Sequence, residues 1–200
     1  MSPGPLPQFD RQEVLLRAME LFWAKGFQGT GMAELVAHVG IGRQSLYNAF
    51  GNKRSLFLEA LHAYKSVMVD ELLVKLDAPG SPLTKVREVL RERVAMITDE
   101  ESFHGCMMGN TSAELGDSDP EIAAIFQRAM TRVVDAFERT LERAKEAGEL
   151  DPASDSRALA CTLVATAQGL EVIAQSNPDP DFAQQILAGL DALLSPVATP

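Results

Sequence analysis

Apolar residues along this chain recur at the three-and-four spacing of an α-helix almost from end to end, and no stretch alternates apolar and polar residues as a half-buried strand does. A chain written this way can bury its apolar faces only by packing helix on helix, so the expected fold is all-α. Glycines, prolines and capping residues divide it into about nine helices. Asp10 is placed to cap a first helix with Val14, Ala18, Leu21 and Phe22 on one face, and Lys25-Gly26-Phe27 to end it. Two short helices over about 32–38 and 43–50 are closed by Gly40 and Gly51. Asn52 opens a long helix striped by Phe57, Leu61, Tyr64, Met68 and Leu72, ending near Asp77. Leu83, Val86, Leu90, Val94 and Ile97 mark a fifth, and residues 104–115 a shorter sixth. Phe126, Met130, Val133, Phe137 and Leu141 mark a seventh that ends at Gly148. The last two cover about 154–176 and 180–194, parted by Asn177-Pro178-Asp179-Pro180.

Any function must accommodate the charge. The 200 residues carry 18 Lys/Arg and 28 Asp/Glu, a net −10, which argues at first against nucleic acid as a partner. The distribution is uneven. Residues 1–65 hold 7 basic against 5 acidic side chains, leaving 11 against 23 in residues 66–200. DNA affinity depends on local phosphate contacts, so this split permits a DNA-binding head, while an acidic remainder repels DNA elsewhere. No run approaches the roughly 20 apolar residues of a bilayer span, and no membrane partner is expected. The opening Met-Ser-Pro-Gly-Pro-Leu-Pro lacks the basic start and apolar run of a signal peptide, so residues 1–9 are expected to form a flexible tail. Two cysteines, Cys106 and Cys161, are too few for a disulfide scaffold and fit a reducing compartment, the cytoplasm.

The most informative stretch is 26–57. Its order of short helix, tight turn, short helix and longer helix is that of a helix-turn-helix, whose second helix needs a steady platform to enter the major groove. Ala37 and Val39 suit the close crossing of two helices, Gly40 permits the positive φ of the turn, and Ile41 fills the space between them. Leu46 and Phe50, four apart, anchor the third helix from beneath. Arg43, Gln44, Ser45, Tyr47 and Asn48 are left on the exposed side. Gln and Asn pair bidentately with adenine, and Tyr and Ser bond phosphate oxygens. Lys53 is placed to set an ammonium against a phosphate. The bland alternative is a three-helix packing motif with no DNA role.

The run from Ala18 to Phe27 resembles the first helix of TetR/AcrR-family regulators, and Met32 to Leu56 resembles their helix-turn-helix. Specificity lies in the order Gly40-Ile41, Leu46-Tyr47, Phe50 and Lys53 near the N-terminus of a wholly helical chain. The resemblance covers about the first quarter; the remainder matches in helix layout. Three departures stand out. Gly42 replaces the usual Ser cap of the recognition helix, and glycine caps less well by a few tenths of a kcal/mol. Gly31 replaces a Ser or Thr before the second helix, although Thr30 remains and joins the expected DNA contacts. Asn48-Ala49 replaces a His-containing pair, so operator preference does not transfer.

The resemblance implies an N-terminal DNA-binding domain over 10–52 and an effector-binding and dimerisation domain over 53–200. It also implies a homodimer on double-stranded operator DNA, repression as the common mode, and release by a small-molecule effector. Residues expected around the effector are Met68, Leu72, Phe103, Cys106, Met107, Met108, Phe126, Met130 and Gln168, although Met and Phe are also ordinary core fillers. The stretch Gly105-Cys106 to Asn110 resembles a Gly-Cys-x-x-x-Asn segment in one branch of the family. A thiol switch at Cys106, helped by His104, is therefore an alternative mode; Cys161 reads as core. Leu159, Leu163, Leu170, Ile186, Leu187, Leu190 and Leu194 stripe the last two helices and are the expected dimer interface, or else close the monomer core.

Enzyme motifs are missing: there is no His-Glu-x-x-His, no Gly-x-Ser-x-Gly and no phosphate-binding loop. The three histidines, at 38, 62 and 104, are scattered, and His104-Gly-Cys106 is too little for zinc, so neither metal nor cofactor is expected. The rival of another class is a helical protein-interaction module without DNA binding.

Overall fold

The computed structural model describes residues 9–97, 103–176 and 180–195. Among the described residues there are nine helices and no strand: α1 (Arg11–Gly29), α2 (Met32–Val39), α3 (Arg43–Phe50), α4 (Lys53–Asp77), α5 (Pro82–Ile97), α6 (Met107–Leu115), α7 (Pro120–Glu146), α8 (Ser156–Ser176) and α9 (Pro180–Leu193). The expected tail, Phe9 apart, and Asn177-Pro178-Asp179 lie outside the described residues.

Local capping chemistry sets most of the ends. The Asp10 carboxylate accepts from the Gln12 N–H at 2.8 Å, Asn52 Oδ1 from Ser55 N–H at 2.9 Å, and Asp119 Oδ1 from Glu121 N–H at 3.1 Å. Gly40 closes α2 at φ 74°, a left-handed conformation that glycine adopts without strain. Two ends differ from the sequence expectation. The chain does break at Gly26 (φ 73°, ψ 176°), but α1 resumes and runs to Gly29. In turn, α6 starts at Met107, because Cys106 is extended and its sulfur accepts from Gly109 N–H at 3.5 Å.

One apolar core runs through the molecule, with α7 as its spine. In the head, Phe57 of α4 meets the rings of Phe22 and Phe27 at 5.0 Å, so the N-terminal turns of α4 complete the core of α1–α3. Leu46 and Phe50 point into that core, and fully burying side chains of this size stabilises by about 1.5–3 kcal/mol each. Leu35 and Val39 are the inward residues of α2, whereas Ala37, two positions from each and therefore on the opposite face, is exposed.

Among the described residues, α8 is the helix whose length and composition are most apolar over a long window. Contrary to the sequence expectation, this helix is long and apolar enough, at a mean hydropathy of 1.3, to meet the length and composition of a bilayer span. Ala160, Leu163, Leu170 and Ala174 nevertheless face the core, and its Glu171 carboxylate is buried against Arg93 of α5.

Candidate DNA-binding face and effector cavity

On α3 the buried anchors Leu46 and Phe50 leave the opposite side to solvent. Arg43, Gln44 and Asn48 are exposed, and Ser45 and Tyr47 are half-buried. Pairs one turn apart hold the exposed side chains in register. Arg43 Nη2 donates to the Tyr47 hydroxyl at 3.3 Å with its guanidinium 5.6 Å from the Tyr47 ring centre, and Gln44 Nε2 donates to Asn48 Oδ1 at 3.0 Å. Neither Gly42 nor Gly31 gives its helix a side-chain cap, so the first N–H groups of α3 and α2 point outward unoccupied by protein side chains at those positions.

Two of the expected DNA contacts face inward. Thr30 is fully buried, with its hydroxyl donating to the Gly26 carbonyl at 2.7 Å; it fastens the break in α1. Lys53 turns its ammonium onto the Phe27 carbonyl, 4.3 Å from the centre of the Phe27 ring, where an acceptor and an aromatic face compensate the half-buried charge. Both residues thus shape the footing of α3. Nor are the neighbouring cations loose: Arg11 pairs with Glu59, Arg17 with Glu13, Lys25 with Glu34, and Arg54 with Asp119 and Glu121. Arg43 is the cation the fold leaves at the tip of the recognition helix.

Three groups of contacts, centred on Glu114, Trp23 and Arg54, join this head to the second half of the chain. Glu114 of α6 accepts from Phe27 N–H at 2.9 Å and from Gln28 N–H at 2.6 Å, the two donors that the break at Gly26 exposes. Trp23 Nε1 donates to the Gly105 carbonyl at 2.8 Å, and its ring stacks edge-on against Tyr64 at 5.1 Å. Arg54, at the start of α4, forks onto Asp119, the cap of α7, at 2.8 and 3.1 Å; these hydrogen bonds hold the Asp119 carboxyl below its usual pKa. Nothing in local sequence spacing marks Glu114 or Asp119 as partners of the head, since they act across 60 residues or more.

Between α4, α5, α6, α7 and α8 lies a cavity of about 140 Å³. Six of the nine expected effector residues line it: Met68, Leu72, Cys106, Met108, Met130 and Gln168. The other three do not. Met107 is buried in the core, and Phe103 and Phe126 pack half-buried against it, all three outside the cavity wall. Val133, Phe137 and Val164 extend the apolar lining, and Tyr64, Lys65, Glu71, Lys75, Glu92, Arg93 and Gln168 contribute polar groups to it. Burial holds the Tyr64 phenol above its ordinary pKa. Burial also raises the Glu171 carboxyl, opposed by the Arg93 charge beside it. At the rim, Lys75 of α4 bridges to Glu92 of α5 at 2.5 Å. Cys106 is buried as the cap of α6, while His104 is exposed with its ring edge-on to Trp23, so His104 does not enclose the thiol.

The expected dimer residues also fall differently. Leu163, Leu170, Leu187, Leu190 and Leu194 are buried within the single chain, and Leu159 and Ile186 pack half-buried against the same core. The apolar face left over lies about half a turn away: Cys161, Ala165, Gly169, Val172 and Ile173 on α8, with Ala188, Gly189, Ala192 and Leu193 on α9. Val172 is 61% exposed, Leu193 52% and Ile173 47%, and Cys161, read as core from sequence, lies on this outer face.

Residues 14–60 match the family model for bacterial regulatory proteins of the tetR family, and residues 82–190 match the tetracyclin repressor-like C-terminal domain. The chain belongs to the TetR family. It is 38% identical to the uncharacterized HTH-type transcriptional regulator YezE of Bacillus subtilis over 90% of this chain and 94% of that one. Against the HTH-type transcriptional repressor ComR of Escherichia coli the identity is 30%, over 92% and 89%. A cysteine-substituted CifR bound to a 26-bp operator duplex superposes with a TM-score of 0.78 at 30% identity, over 96% of this chain and 98% of that one. Reduced NemR of E. coli shares the fold, with a TM-score of 0.82 at 20% identity over 95% and 97%. As a TetR-family member the protein is a DNA-binding transcriptional regulator and not an enzyme. Its helix-turn-helix is α2–α3, and the all-helical remainder carries the cavity.

Proposed function

We propose that this TetR-family protein is a dimeric repressor that an uncharged, largely apolar small molecule releases from its operator. The observation that carries this reading is the cavity: it opens between helices of the second half, and its wall includes Cys106 and Met108, the start of the helix that grips the head. Its lining suggests the chemistry of the effector. Lys75 is matched by Glu92 and Arg93 by Glu171, and the remaining charged groups of the wall, Lys65 and Glu71, are one of each sign, so the lining carries no net charge to favour an anion or a cation. Methionines at 68, 96, 108 and 130 give the wall polarizable, adaptable side chains. Arg43, Gln44, Ser45, Tyr47 and Asn48 would make the operator contacts, with Thr30 and Lys53 as supports. The uncovered face of α8 and α9 would meet its own copy around a two-fold axis, setting two recognition helices against two half-sites. A thiol switch gains no support from a buried Cys106 that caps a helix.

The test is fluorescence anisotropy with duplexes from the region flanking the protein's own gene, then a screen for compounds that lower the signal. The reading expects tight, salt-sensitive binding relative to random duplex and release by neutral compounds. Equal affinity for both duplexes at low salt would overturn it.

A further inference from the structure

Glu114 stands on α6, in the half of the molecule that holds the cavity, yet both oxygens of its carboxylate are engaged by the head. The break at Gly26 frees the N–H groups of Phe27 and Gln28, and a carboxylate accepting both acts as a cap supplied from another domain. The approach is so close that a side chain at residue 26 has no room: a Cβ there would lie 2.7 Å from Glu114 Oε2. What the cap holds leads on to the recognition helix. The Phe27 carbonyl receives the Lys53 ammonium at the start of α4, and the Gly26 carbonyl receives the Thr30 hydroxyl just before α2. In the other direction, the cap of α6, Cys106, and Met108 in its first turn lie in the cavity wall, about two turns from Glu114.

We propose that Glu114 is a positioning residue for operator binding: without touching DNA, it fixes the break in α1 on which α2, α3 and the start of α4 are seated. Through α6 it also carries displacement at the cavity to the head. The second half of this proposal rests on the reading of the cavity as an effector site.

The test uses the full-length protein and the flanking-gene duplex. Glu114→Ala is expected to weaken binding about tenfold, the loss of one well-made charge-assisted contact. Glu114→Gln, which keeps one acceptor oxygen, should fall between the two. Amide exchange at Phe27 and Gln28 should accelerate in both variants while α8 exchange stays as in the wild type, which a general loss of stability would not produce. Operator affinity within twofold of the wild type in Glu114→Ala overturns the positioning role. For the link, Ala129→Leu fills the cavity from α7, where Ala129 lines the wall. It is expected to weaken operator binding in the wild-type background and to add nothing in Glu114→Ala. Equal fold-losses in both backgrounds, or no loss in the wild type, overturn the link. A wild-type protein that fails to distinguish this duplex from random DNA overturns instead the regulator reading, and is seen before any variant is made.

Discussion

The buried pair of Arg93 and Glu171 permits a prediction whose size follows from its surroundings. The Glu171 side chain is 2% exposed, and its oxygens have no hydrogen-bond partner of good geometry besides the ion pair itself. Arg93 is less enclosed, at 25%, and reaches the cavity. Arg93→Met therefore strands a carboxylate in the core. The protein can keep that carboxyl neutral instead, and the cost is set by pH: with an ordinary Glu value of about 4.3 and 1.36 kcal/mol per unit, protonating it at pH 7 costs about 3.7 kcal/mol. The charge penalty of the variant is bounded near that figure at pH 7, and near 1 kcal/mol at pH 5. The sign is that of a raised carboxyl: the unfolded chain releases the proton first, so stability is retained below the unfolded value and falls as pH rises toward the folded one. Glu171→Gln leaves a cation that water can reach through the cavity, and should cost less. Replacing both, as Arg93→Met with Glu171→Met, removes the desolvation along with the attraction and should restore much of the loss. Urea titrations at pH 5 and pH 7, at one fixed protein concentration because dimers gain stability by mass action, give the comparison. A loss for Arg93→Met that is the same at both pH values would mean that the pair matters through packing alone, and the electrostatic account would be refuted.

Other consequences are simpler. Gly42→Ser adds an acceptor at the uncapped start of α3, where the backbone is already extended (φ −63°, ψ 149°) and a Cβ meets nothing within 4 Å. Capping and the reduced freedom of the unfolded chain should together add about 0.5–1.5 kcal/mol, read as slower amide exchange in α3 and a higher melting temperature. The contact between Arg54 and Asp119 contributes fully above the ordinary Asp value and is lost as pH falls through the lowered value of Asp119. In Asp119→Asn, acid unfolding should consequently set in with a shallower pH dependence. Val172→Glu puts a charge on the uncovered face of α8; sedimentation should show monomers at concentrations where the wild type is dimeric, with unchanged helix content.

The sequence carries some of these features and withholds others for identifiable reasons. Helix ends at Asp10, Gly40, Asn52 and Gly51 are legible because each depends on one residue and its neighbours within four positions. The continuation of α1 past Gly26 is not, because the carboxylate that caps it lies 87 residues away. Thr30 and Lys53 have the composition of DNA contacts, but a carbonyl and a phenyl ring brought close only by the fold draw them inward. The dimer stripe fails for a different reason. Around α8 apolar residues occur on nearly every side, so periodicity finds Leu163 and Leu170 and equally Cys161, Ala165 and Val172. It cannot decide which set meets the core of its own chain. The packing of α5 and α7 decides, for it covers Ala160, Leu163, Leu170 and Ala174 and leaves Cys161, Ala165, Val172 and Ile173 outside.

The charge distribution, which at the outset seemed to oppose DNA binding, yields a quantitative expectation once the ion pairs are placed. The basic residues of the head do not form a free positive field. Arg11, Arg17, Lys25 and Arg54 are each held by carboxylates, and Lys53 by a carbonyl. Arg54 spends its charge on Asp119 and Glu121 of the acidic half, so the same contact that joins the two halves also dims the head's potential. Recognition must then rest on Arg43, on neutral donors at Gln44, Ser45, Tyr47 and Asn48, and on the open N–H groups at the starts of α2 and α3. Neutral contacts position the protein without displacing a full counterion, so few phosphates are neutralised. With one such arginine per head neutralising about one phosphate, and at most one more per head answered by the open N–H groups, log K against log salt should fall with a slope of about −2 to −4 per dimer. Anisotropy titrations between 50 and 300 mM salt measure it directly. A slope steeper than about −7 would require the paired cations to leave their carboxylates on DNA, and the electrostatic picture of a nearly neutral head would have to be abandoned.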